Sequence, residues 1–427
     1  MKILFVSMPH PTHFQPMLPL AWALRAAGHE VRVAGHPDLT ETSTGAGMTA
    51  VPVGAPAWYA GDPYEPGLYG QLMGEGASDF LGSFDWPMTD ASAWSWEGLL
   101  GLEKVLVPAL YAGINNDPMI EELLTYARHW RPDLVVWEQL TVAGAVVAEL
   151  LGVPHARFVY GLDFIGRARE AFQRRYEEQP RAHREDPTRE WFEPVMLRHG
   201  GSWTERLRTG GFTIDTSVPS TRLDTGGPVE GLRYVPYNGA SVVPEWLREP
   251  AGRRRVCLTL GRSNELENTG TTVAEILAGL ASLDVEVVAT LGGDEAAGLG
   301  PLPDNVRLVD FVPLHDLLPT CAAVVHHGGI GSRLTAVHHG VPQLVLGYGY
   351  DTWMIARRQE ELDAGLALAA DAATAGSVRD GVARLLDEPR FAAGAARMRD
   401  ELLAQPSPAD LVATLERRVE EWAETAR

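Results

Sequence analysis

Residues 321–352 combine a short apolar run, a glycine turn and a helical pattern, and this stretch limits the folds open to the chain. Residues 322–325 predict a buried strand, and the turn at 326–332 follows it. Residues 333–339 have helical composition, and Gly340 is a stop signal. A strand, a glycine turn and a helix in this order direct backbone N–H groups and the positive end of the helix dipole at an anion. The stretch therefore predicts a phosphate site.

Strands and helices alternate in two series along the chain. Residues 2–6 predict a strand, residues 17–27 a helix and residues 31–34 a second strand, and a fresh strand at 255–260 opens the second series. A chain of 427 residues is long enough for two domains. In open α/β sheets, ligands bind at loops that follow the carboxyl ends of strands. We therefore expect an α/β protein with two Rossmann-like α/β/α domains that face each other across a cleft.

A turn-rich segment between residues 220 and 251 separates the two series, because glycine, proline and an Asn-Gly pair are concentrated there. We predict a first domain at residues 1–240, a linker at 241–252 and a second domain at 253–406. Residues 407–427 predict an amphipathic helix that begins with a capping serine and a proline.

The charge balance restricts which ligands the surface can attract. The sequence has 36 Lys and Arg against 56 Asp and Glu, a net charge of −20. This balance disfavours nonspecific binding to nucleic acid and to anionic membranes, so an anionic ligand needs a local positive site. No apolar run approaches the roughly 20 residues of a membrane span, and no signal-peptide core precedes His10. The expected location is the cytoplasm.

Two common nucleotide-binding motifs are missing from the sequence. A dinucleotide-binding turn requires G-x-G-x-x-G, but Gly329 and Gly331 are followed by Leu334 at the third position. No G-x-x-x-x-G-K-[ST] motif of a nucleoside triphosphatase occurs. What remains is one phosphate site in the second domain and a loop histidine, His13, in the first. This layout favours an enzyme that activates an acceptor in one domain and holds a diphosphate leaving group in the other. For His13 itself, a structural role as a histidine that is hydrogen-bonded to the backbone is an equal alternative.

Two segments lack a regular pattern. Residues 52–118 mix Gly, Pro, Asp and Ser with many aromatic residues between Trp58 and Trp96. They predict loops and short helices that fold over a cleft or meet a partner, with a displaced part of the core as the alternative. Residues 167–189 are strongly charged and predict a solvated helix and loop.

Motifs spread over nearly the whole chain resemble a known family. They are Ser7 and His13 with residues 19–21 and 24–31, residues 130–135, 238–239 with 243–247, 256–261, 304–307 with 311–314, and 326–332 with 340–343. On these residues the chain resembles the GT-B glycosyltransferases, in particular the actinobacterial enzymes that put deoxysugars on polyketide and macrolide aglycones in antibiotic biosynthesis. The resemblance implies an inverting transfer from a TDP-sugar to an aglycone hydroxyl.

The resemblance implies that His13 is the general base that takes a proton from the aglycone hydroxyl. Histidine as a residue type can accept a proton near neutral pH, and such catalysis typically contributes about 10²- to 10⁴-fold. A carboxylate often orients this histidine in the family. Glu138, at the end of a predicted strand in the same domain, is the candidate, with a structural cap as an equal alternative.

The second domain is implied to bind the donor. The implied diphosphate ligands are His327 with the N–H groups of Gly328, Gly329 and Ser332. The turn of Gly261, Arg262 and Ser263 is implied to close over the phosphates, and Val312 with Pro313 to carry the nucleotide base. His326 is expected to pack in the core. No metal or other cofactor is expected, because no Asp-x-Asp motif is present to hold one.

The pair Asp351-Thr352 ends the donor motif where many relatives that use ordinary hexoses have Asp-Gln or Glu-Gln. Threonine is shorter than glutamine and carries a methyl group, so a sugar that lacks hydroxyls fits better. With the Trp94-x-Trp96-Glu97 segment, this ending resembles the subgroup that transfers aminodeoxysugars to macrolactones, whose members commonly depend on a cytochrome-like auxiliary protein. A homodimer is a further candidate assembly. The alternatives for the chain are a nucleotide-sugar epimerase of the same fold and a non-catalytic scaffold.

Overall fold

The computed structural model describes residues 1–56, 94–260, 271–292, 296, 299–347 and 350–425. Within these ranges the chain forms two compact units. Unit 1 comprises Met1–Ser217, Leu223–Arg233 and the segment that starts at Pro406, and unit 2 comprises Val218–Arg222 and Tyr234–Gln405. The predictions for the aromatic residues from Trp58 to Trp86 and for the turn of Gly261, Arg262 and Ser263 lie outside the described residues.

Unit 1 contains a sheet of seven parallel strands in the order β3-β2-β1-β4-β5-β6-β7. The strands are β1 (Lys2–Val6), β2 (Glu30–Gly35), β3 (Thr49–Pro52), β4 (Leu134–Glu138), β5 (His155–Val159), β6 (Phe212–Asp215) and β7 (Val229–Gly231). Every residue of β4 is buried, as expected of a parallel strand whose sheet is covered by helices. This burial explains why the strand reads as an apolar run in the sequence.

The described helices of unit 1 before residue 217 connect these strands. They are α1 (Pro11–Phe14), α2 (Leu18–Ala26), α3 (Thr40–Gly45), α4 (Trp96–Leu106), α5 (Asp117–Trp130), α6 (Ala143–Leu151), α7 (Phe164–Glu178), α8 (Pro187–Arg198) and α9 (Arg206–Thr209). Capping side chains fix several starts: the Ser95 side chain accepts from the Gly98 N–H at 3.0 Å and begins α4.

Unit 2 contains a sheet of six parallel strands in the order β10-β9-β8-β11-β12-β13. The strands are β8 (Arg255–Thr259), β9 (Glu286–Thr290), β10 (Val306–Val309), β11 (Cys321–His326), β12 (Gln343–Gly347) and β13 (Gly365–Ala369). The α-helices in its described residues are α10 (Val273–Ala281), α11 (Leu314–Leu317), α12 (Ile330–His339), α13 (Tyr350–Glu361), α14 (Ala375–Asp387) and α15 (Pro389–Ala404). The expectation of two Rossmann-like domains is confirmed.

Each sheet reverses its strand order next to its first strand. In unit 1, Ile3 of β1 pairs with Val31 on one side and with Leu134 on the other. In unit 2, β8 lies between β9 and β11. Connections that leave neighbouring strands in opposite directions open a crevice at the carboxyl ends of those strands. The loops after β1 and β4, and after β8 and β11, are therefore where each unit is expected to bind ligands.

The boundary between the units differs from the predicted linker at 241–252. The chain enters unit 2 at Tyr234, because Tyr234 is buried against Leu334 and Val337, and Leu247 lies in a core with Cys257. The turn-rich composition of this segment reflects extended chain that lies on unit 2. The predicted range was therefore wrong for this boundary.

The C-terminal helix α16 (Pro408–Thr425) belongs to unit 1. Arg418 forms an ion pair with Glu230, with 2.6 Å between Nη2 and Oε1, and the Trp422 indole N–H donates to the Gly152 carbonyl at 3.1 Å. These contacts return the end of the chain to the first sheet. None of the helices in the described ranges has the length and the apolar character that crossing a membrane requires.

The charged segment 167–189 is not simply solvated, which corrects the prediction. Arg169 of α7 is only 2% exposed and its guanidinium bonds to both carboxylate oxygens of Asp186 at 2.8 Å and to Glu205 Oε1 at 2.7 Å. The Glu103 carboxylate, 3.4 Å from Nη1, acts with these two to hold the pKa of Arg169 well above its ordinary value against the opposing effect of its burial. Sequence charge alone could not distinguish a buried ion network from a wet surface.

Candidate active site

His13 lies on the short helix that follows β1. Pro11 occupies the first turn of α1, where its missing N–H has no cost, and the His10 side chain accepts from the Thr12 N–H. The His13 side chain keeps 22% of its surface exposed. The helix thus holds the imidazole at the carboxyl end of the sheet while leaving part of it open to a ligand.

Glu138 lies 3.0 Å from His13, measured from Oε1 to Nδ1. Its side chain is fully buried at the end of β4. The second carboxylate oxygen, Oε2, accepts from the Leu140 N–H at 3.1 Å and from the Thr141 hydroxyl at 3.0 Å. One carboxylate therefore caps the turn after β4 and also contacts the imidazole, so the two interpretations of Glu138 are compatible.

This geometry selects one form of the imidazole. A carboxylate can only accept at Nδ1, so Nδ1 carries the hydrogen and Nε2 keeps its lone pair. Nε2 is then the atom of His13 that can accept a proton from a hydroxyl. The arrangement has the logic of a base held by a buried carboxylate, in which the acid fixes the orientation and tautomer of the histidine.

Tyr160 is a further residue of this site that the sequence did not single out. In the tautomer with the hydrogen on Nδ1, its hydroxyl oxygen accepts from the same His13 N–H as Glu138 does. Its ring meets the imidazole edge to face, with 5.2 Å between centroids. Tyr160 directly follows β5, the neighbour of β4. Its position at the end of a predicted strand could have indicated this role, because the carboxyl ends of parallel strands lie at the same edge of a sheet.

His326 ends β11 and anchors the glycine loop of unit 2. Its Nε2 lies 2.8 Å from Gln343 Oε1, and its Nδ1 accepts from the Gly328 N–H at 3.0 Å. Burial lowers the pKa of His326 to about 3, with the neighbouring His327 acting in the same direction and the Gln343 bond opposing them. The expectation that His326 packs in the core is confirmed.

Gly328 and Gly329 turn the chain where a side chain would not fit. Gly328 has φ +103°, and a Cβ there would lie 2.7 Å from Thr352 Cβ. A Cβ on Gly329 would lie 2.5 Å from His327 Nε2. Thr352, near the start of α13, is therefore packed on the loop. Asp351 is part of the same helix.

The loop leads into the amino end of α12, which has ten residues. Gly329 caps the helix without a side-chain hydrogen bond, and the first turn contains no acidic residue. Because the Arg333 N–H is bonded to the Gly329 carbonyl at 3.0 Å, the preceding N–H groups, including that of Ser332, have no acceptor four residues earlier within the helix. Together with the helix dipole they suit an anion.

His327 is half-buried beside these N–H groups. Burial lowers its pKa, and a hydrogen bond with the Thr259 backbone opposes that shift. The structure therefore brings His327, Gly328, Gly329, Ser332 and Thr352 together in unit 2, and His13 with Glu138 in unit 1.

The segment expected to carry the nucleotide base has buried side chains at Val312 and Pro313. Val312 is 3% exposed and packs in a core with Leu317 and Leu318, and Pro313 is the buried cap residue of α11. The Val312 side chain thus fills the interior of unit 2, and the role of Val312 and Pro313 towards a base stays a prediction. Phe311 is 58% exposed and is the large apolar side chain that this segment presents to solvent.

Comparisons with known proteins identify the family of the chain. Two family models match, the N-terminal domain of the erythromycin biosynthesis protein CIII-like family over residues 22–261 and its C-terminal domain over residues 274–417. The chain is 46% identical to the 3-alpha-mycarosylerythronolide B desosaminyl transferase of Saccharopolyspora erythraea, over 97% of this chain and 98% of the relative. It is also 46% identical to the 10-deoxymethynolide desosaminyltransferase of Streptomyces venezuelae, over 98% and 97% of the two chains.

A solved structure gives the same result for the fold. The glycosyltransferase VinC, crystallised in complex with dTDP, is 38% identical and superposes with a TM-score of 0.87 over 99% of this chain and 100% of VinC. These relatives are transferases and give no support to the epimerase alternative. The chain therefore belongs to the erythromycin biosynthesis protein CIII-like family of glycosyltransferases, which have the GT-B fold.

Proposed function

We propose that the chain transfers an aminodeoxysugar from a TDP-sugar to a hydroxyl of a polyketide or macrolide aglycone, with inversion at the anomeric carbon. The observation that carries the proposal is the 3.0 Å contact between His13 Nδ1 and Glu138 Oε1, which leaves Nε2 as the proton acceptor. Two relatives at 46% identity are named desosaminyl transferases, and desosamine is an aminodeoxysugar. The dTDP complex of VinC supports the choice of donor nucleotide.

The proposed reaction is a single displacement. His13 Nε2 takes the proton of the aglycone hydroxyl as the oxygen attacks the anomeric carbon, and Glu138 stabilises the imidazolium that forms. The bond from the anomeric carbon to the diphosphate breaks on the opposite face, and its electron pair goes to the diphosphate oxygen. His327, the Gly329 N–H and the N–H groups at the start of α12 stabilise the charge that develops there. The Gly328 N–H, which was also expected to bind the diphosphate, is already bonded to His326 Nδ1.

We also propose that the transfer step needs no metal ion or other cofactor. The donor set of unit 2 consists of N–H groups, a helix dipole and an imidazole, which can neutralise a diphosphate leaving group. Treating the protein with EDTA should leave single-turnover transfer unchanged. A loss that added Mg²⁺ restores would contradict this part of the proposal.

The proposal includes an auxiliary protein as a partner of unit 1. We propose that a cytochrome-like protein binds unit 1 near Trp96, at the start of α4. Trp96 is half-buried and stacks on Phe172 of α7, with 5.2 Å between ring centroids. Co-elution of the candidate auxiliary protein with the wild type, and its loss on Trp96→Ala, would support this surface. The same sizing column would show whether the chain is a homodimer, as the family resemblance allows.

An activity screen tests the function directly. The purified chain should be incubated with a panel of macrolactone and aromatic polyketide acceptors. One set of reactions contains a TDP-aminodeoxysugar as the donor, and a second set contains a TDP-hexose with all its hydroxyls. We expect glycosylated product with the aminodeoxysugar, and at least tenfold less with the hexose, because a missing hydrogen-bond partner typically costs about 1–3 kcal/mol. Equal rates with both donors would contradict the sugar class, and TDP release without any glycoside would contradict the transfer.

A further inference from the structure

Three histidines of unit 2 meet at the end of α12 that is remote from the anion site. His315 lies on α11, and His338 with His339 forms the last turn of α12. The nitrogen atoms that they can offer to a metal all lie within 4.8 Å of one another. A ten-residue helix is about 15 Å long, so this cluster and the diphosphate loop are at opposite ends of α12.

The ring geometry is close to that of a metal site. His339 Nε2 lies 3.0 Å from His315 Nδ1, and the ring centroids are 4.8 Å apart for His315 with His339 and 5.0 Å for His338 with His339. Two nitrogens bound to one tetrahedral Zn²⁺, at about 2.0–2.1 Å each, are separated by about 3.4 Å. The three nitrogen atoms already lie within 4.8 Å of one another, so rotation of the imidazoles would have to shorten the longest separation by at most about 1.4 Å.

The backbone that carries these rings is fixed. The His315 N–H donates to Asn238 Oδ1 at 2.9 Å. Helix α12 ends at Gly340, whose left-handed φ of 66° lets its N–H reach the Ala336 and Val337 carbonyls. Leu317 and Ala336 are buried in one core, which holds α11 against α12. A ligand would therefore find the three histidines already positioned.

The carboxyl end of a helix also favours positive charge. The unpaired carbonyls of the last turn give that end a partial negative charge, which attracts a cation within about one turn. His338 and His339 lie in this turn. Imidazole ligands without carboxylates suit Zn²⁺, Ni²⁺ or Cu²⁺, whereas Mg²⁺ and Ca²⁺ prefer oxygen ligands.

We propose that His315, His338 and His339 bind one divalent cation of the zinc class, with a water molecule in the fourth position. The ion would tie α11 to the end of α12 and stabilise unit 2. It would take no part in sugar transfer, because it lies at the far end of the helix from the diphosphate loop. The proposal is therefore independent of the proposed function.

Zinc binding to the full-length chain tests the proposal. Tag-free protein, stripped with EDTA and dialysed, should be titrated with Zn²⁺ by calorimetry, in parallel with His315→Ala, His338→Ala and the control His129→Ala. His129 is a suitable control because it is an exposed histidine in the last turn of α5, outside the cluster. We expect one tight site in the wild type and in the control, and at least tenfold weaker binding in both cluster variants.

Thermal unfolding separates a lost ligand from a damaged fold. Without zinc, His315→Ala should melt close to the wild type, because His315 is exposed. With zinc, the melting temperature should rise for the wild type and the control but not for the two cluster variants. A wild type that binds no zinc, or cluster variants that bind it as tightly as the wild type, would overturn the proposal and leave the cluster a hydrogen-bonded contact.

Discussion

His13 Nδ1 and Glu138 Oε1 lie 3.0 Å apart although 125 positions separate the two residues in the sequence. The contact exists because β1 and β4 are neighbours in a parallel sheet, so the loop after one strand meets the end of the other. The same carboxylate is bonded to the turn that follows β4. A rigid turn therefore holds the group that orients the proposed base.

Replacing Glu138 by Gln should lower kcat by roughly 10²- to 10⁴-fold, with a smaller change in KM. The amide can donate to Nδ1 and so favour the tautomer in which Nε2 carries the hydrogen. Steady-state kinetics with a saturating donor would measure the split between kcat and KM. Thr141→Val is the matched control, because it removes a donor to Oε2 only. If both variants lose activity to the same extent, Glu138 acts through the turn alone.

Replacing Tyr160 by Phe should reduce kcat about fivefold, which corresponds to one hydrogen bond of about 1 kcal/mol. The ring, which packs edge to face on His13, is retained. Tyr160→Ala removes both contacts and should lower kcat further. The comparison of the two variants, at equal TDP affinity, measures the role of the hydroxyl. A Phe variant as impaired as the Ala variant would assign the whole effect to the hydroxyl bond.

Replacing Gly328 by Ala should weaken TDP binding at least tenfold. The left-handed backbone costs about 1–2 kcal/mol for a residue with a Cβ, and the methyl group would press on Thr352. Calorimetric titration with TDP would measure the loss. Gly376→Ala, also in unit 2, is the control, because a Cβ there meets no atom closer than 3.8 Å. Retained affinity in the Gly328 variant would show that the turn can relax.

The buried His326 should make the chain less stable in mild acid. Its pKa is lowered from 6.5 to about 3 in the folded chain, so the unfolded state binds the extra proton. Its contribution to stability is complete above pH 6.5 and is lost as the pH falls from 6.5 towards 3, by at most about 1.4 kcal/mol per pH unit. Urea unfolding at pH 7.5 and 5.5 should show a decrease about 1 kcal/mol larger for the wild type than for His326→Asn. Equal decreases would mean that His326 does not control this dependence.

The sequence predicted the sheets of both units well, because buried parallel strands such as β4 and β11 are nearly uninterrupted apolar runs. It placed His13 after β1 and Glu138 at the end of β4, where the structure has them, although His13 lies on the short helix α1 and not on a loop. It placed the start of α12 three residues too late, since the helix includes Ile330 and Gly331, which have poor helical composition.

Other features depend on contacts between distant residues, and no local pattern indicates them. Tyr160 reaches His13 across 147 positions. Arg169 is buried only because Asp186 and Glu205 fold back onto it. His315 meets His339 because α11 packs on α12, although their spacing of 24 residues matches no metal-binding motif. These are consequences of packing, which periodicity does not encode.

Transfer by His13→Ala in a single turnover is the most direct test of the proposed mechanism. The variant and the wild type should be compared with the same TDP-aminodeoxysugar and aglycone, and their affinities for TDP should be measured in parallel. We expect at least a 10²-fold slower transfer with unchanged TDP affinity, since the proposed base lies in unit 1 and the proposed diphosphate site in unit 2. Transfer at the wild-type rate would contradict the assignment of His13 as the base.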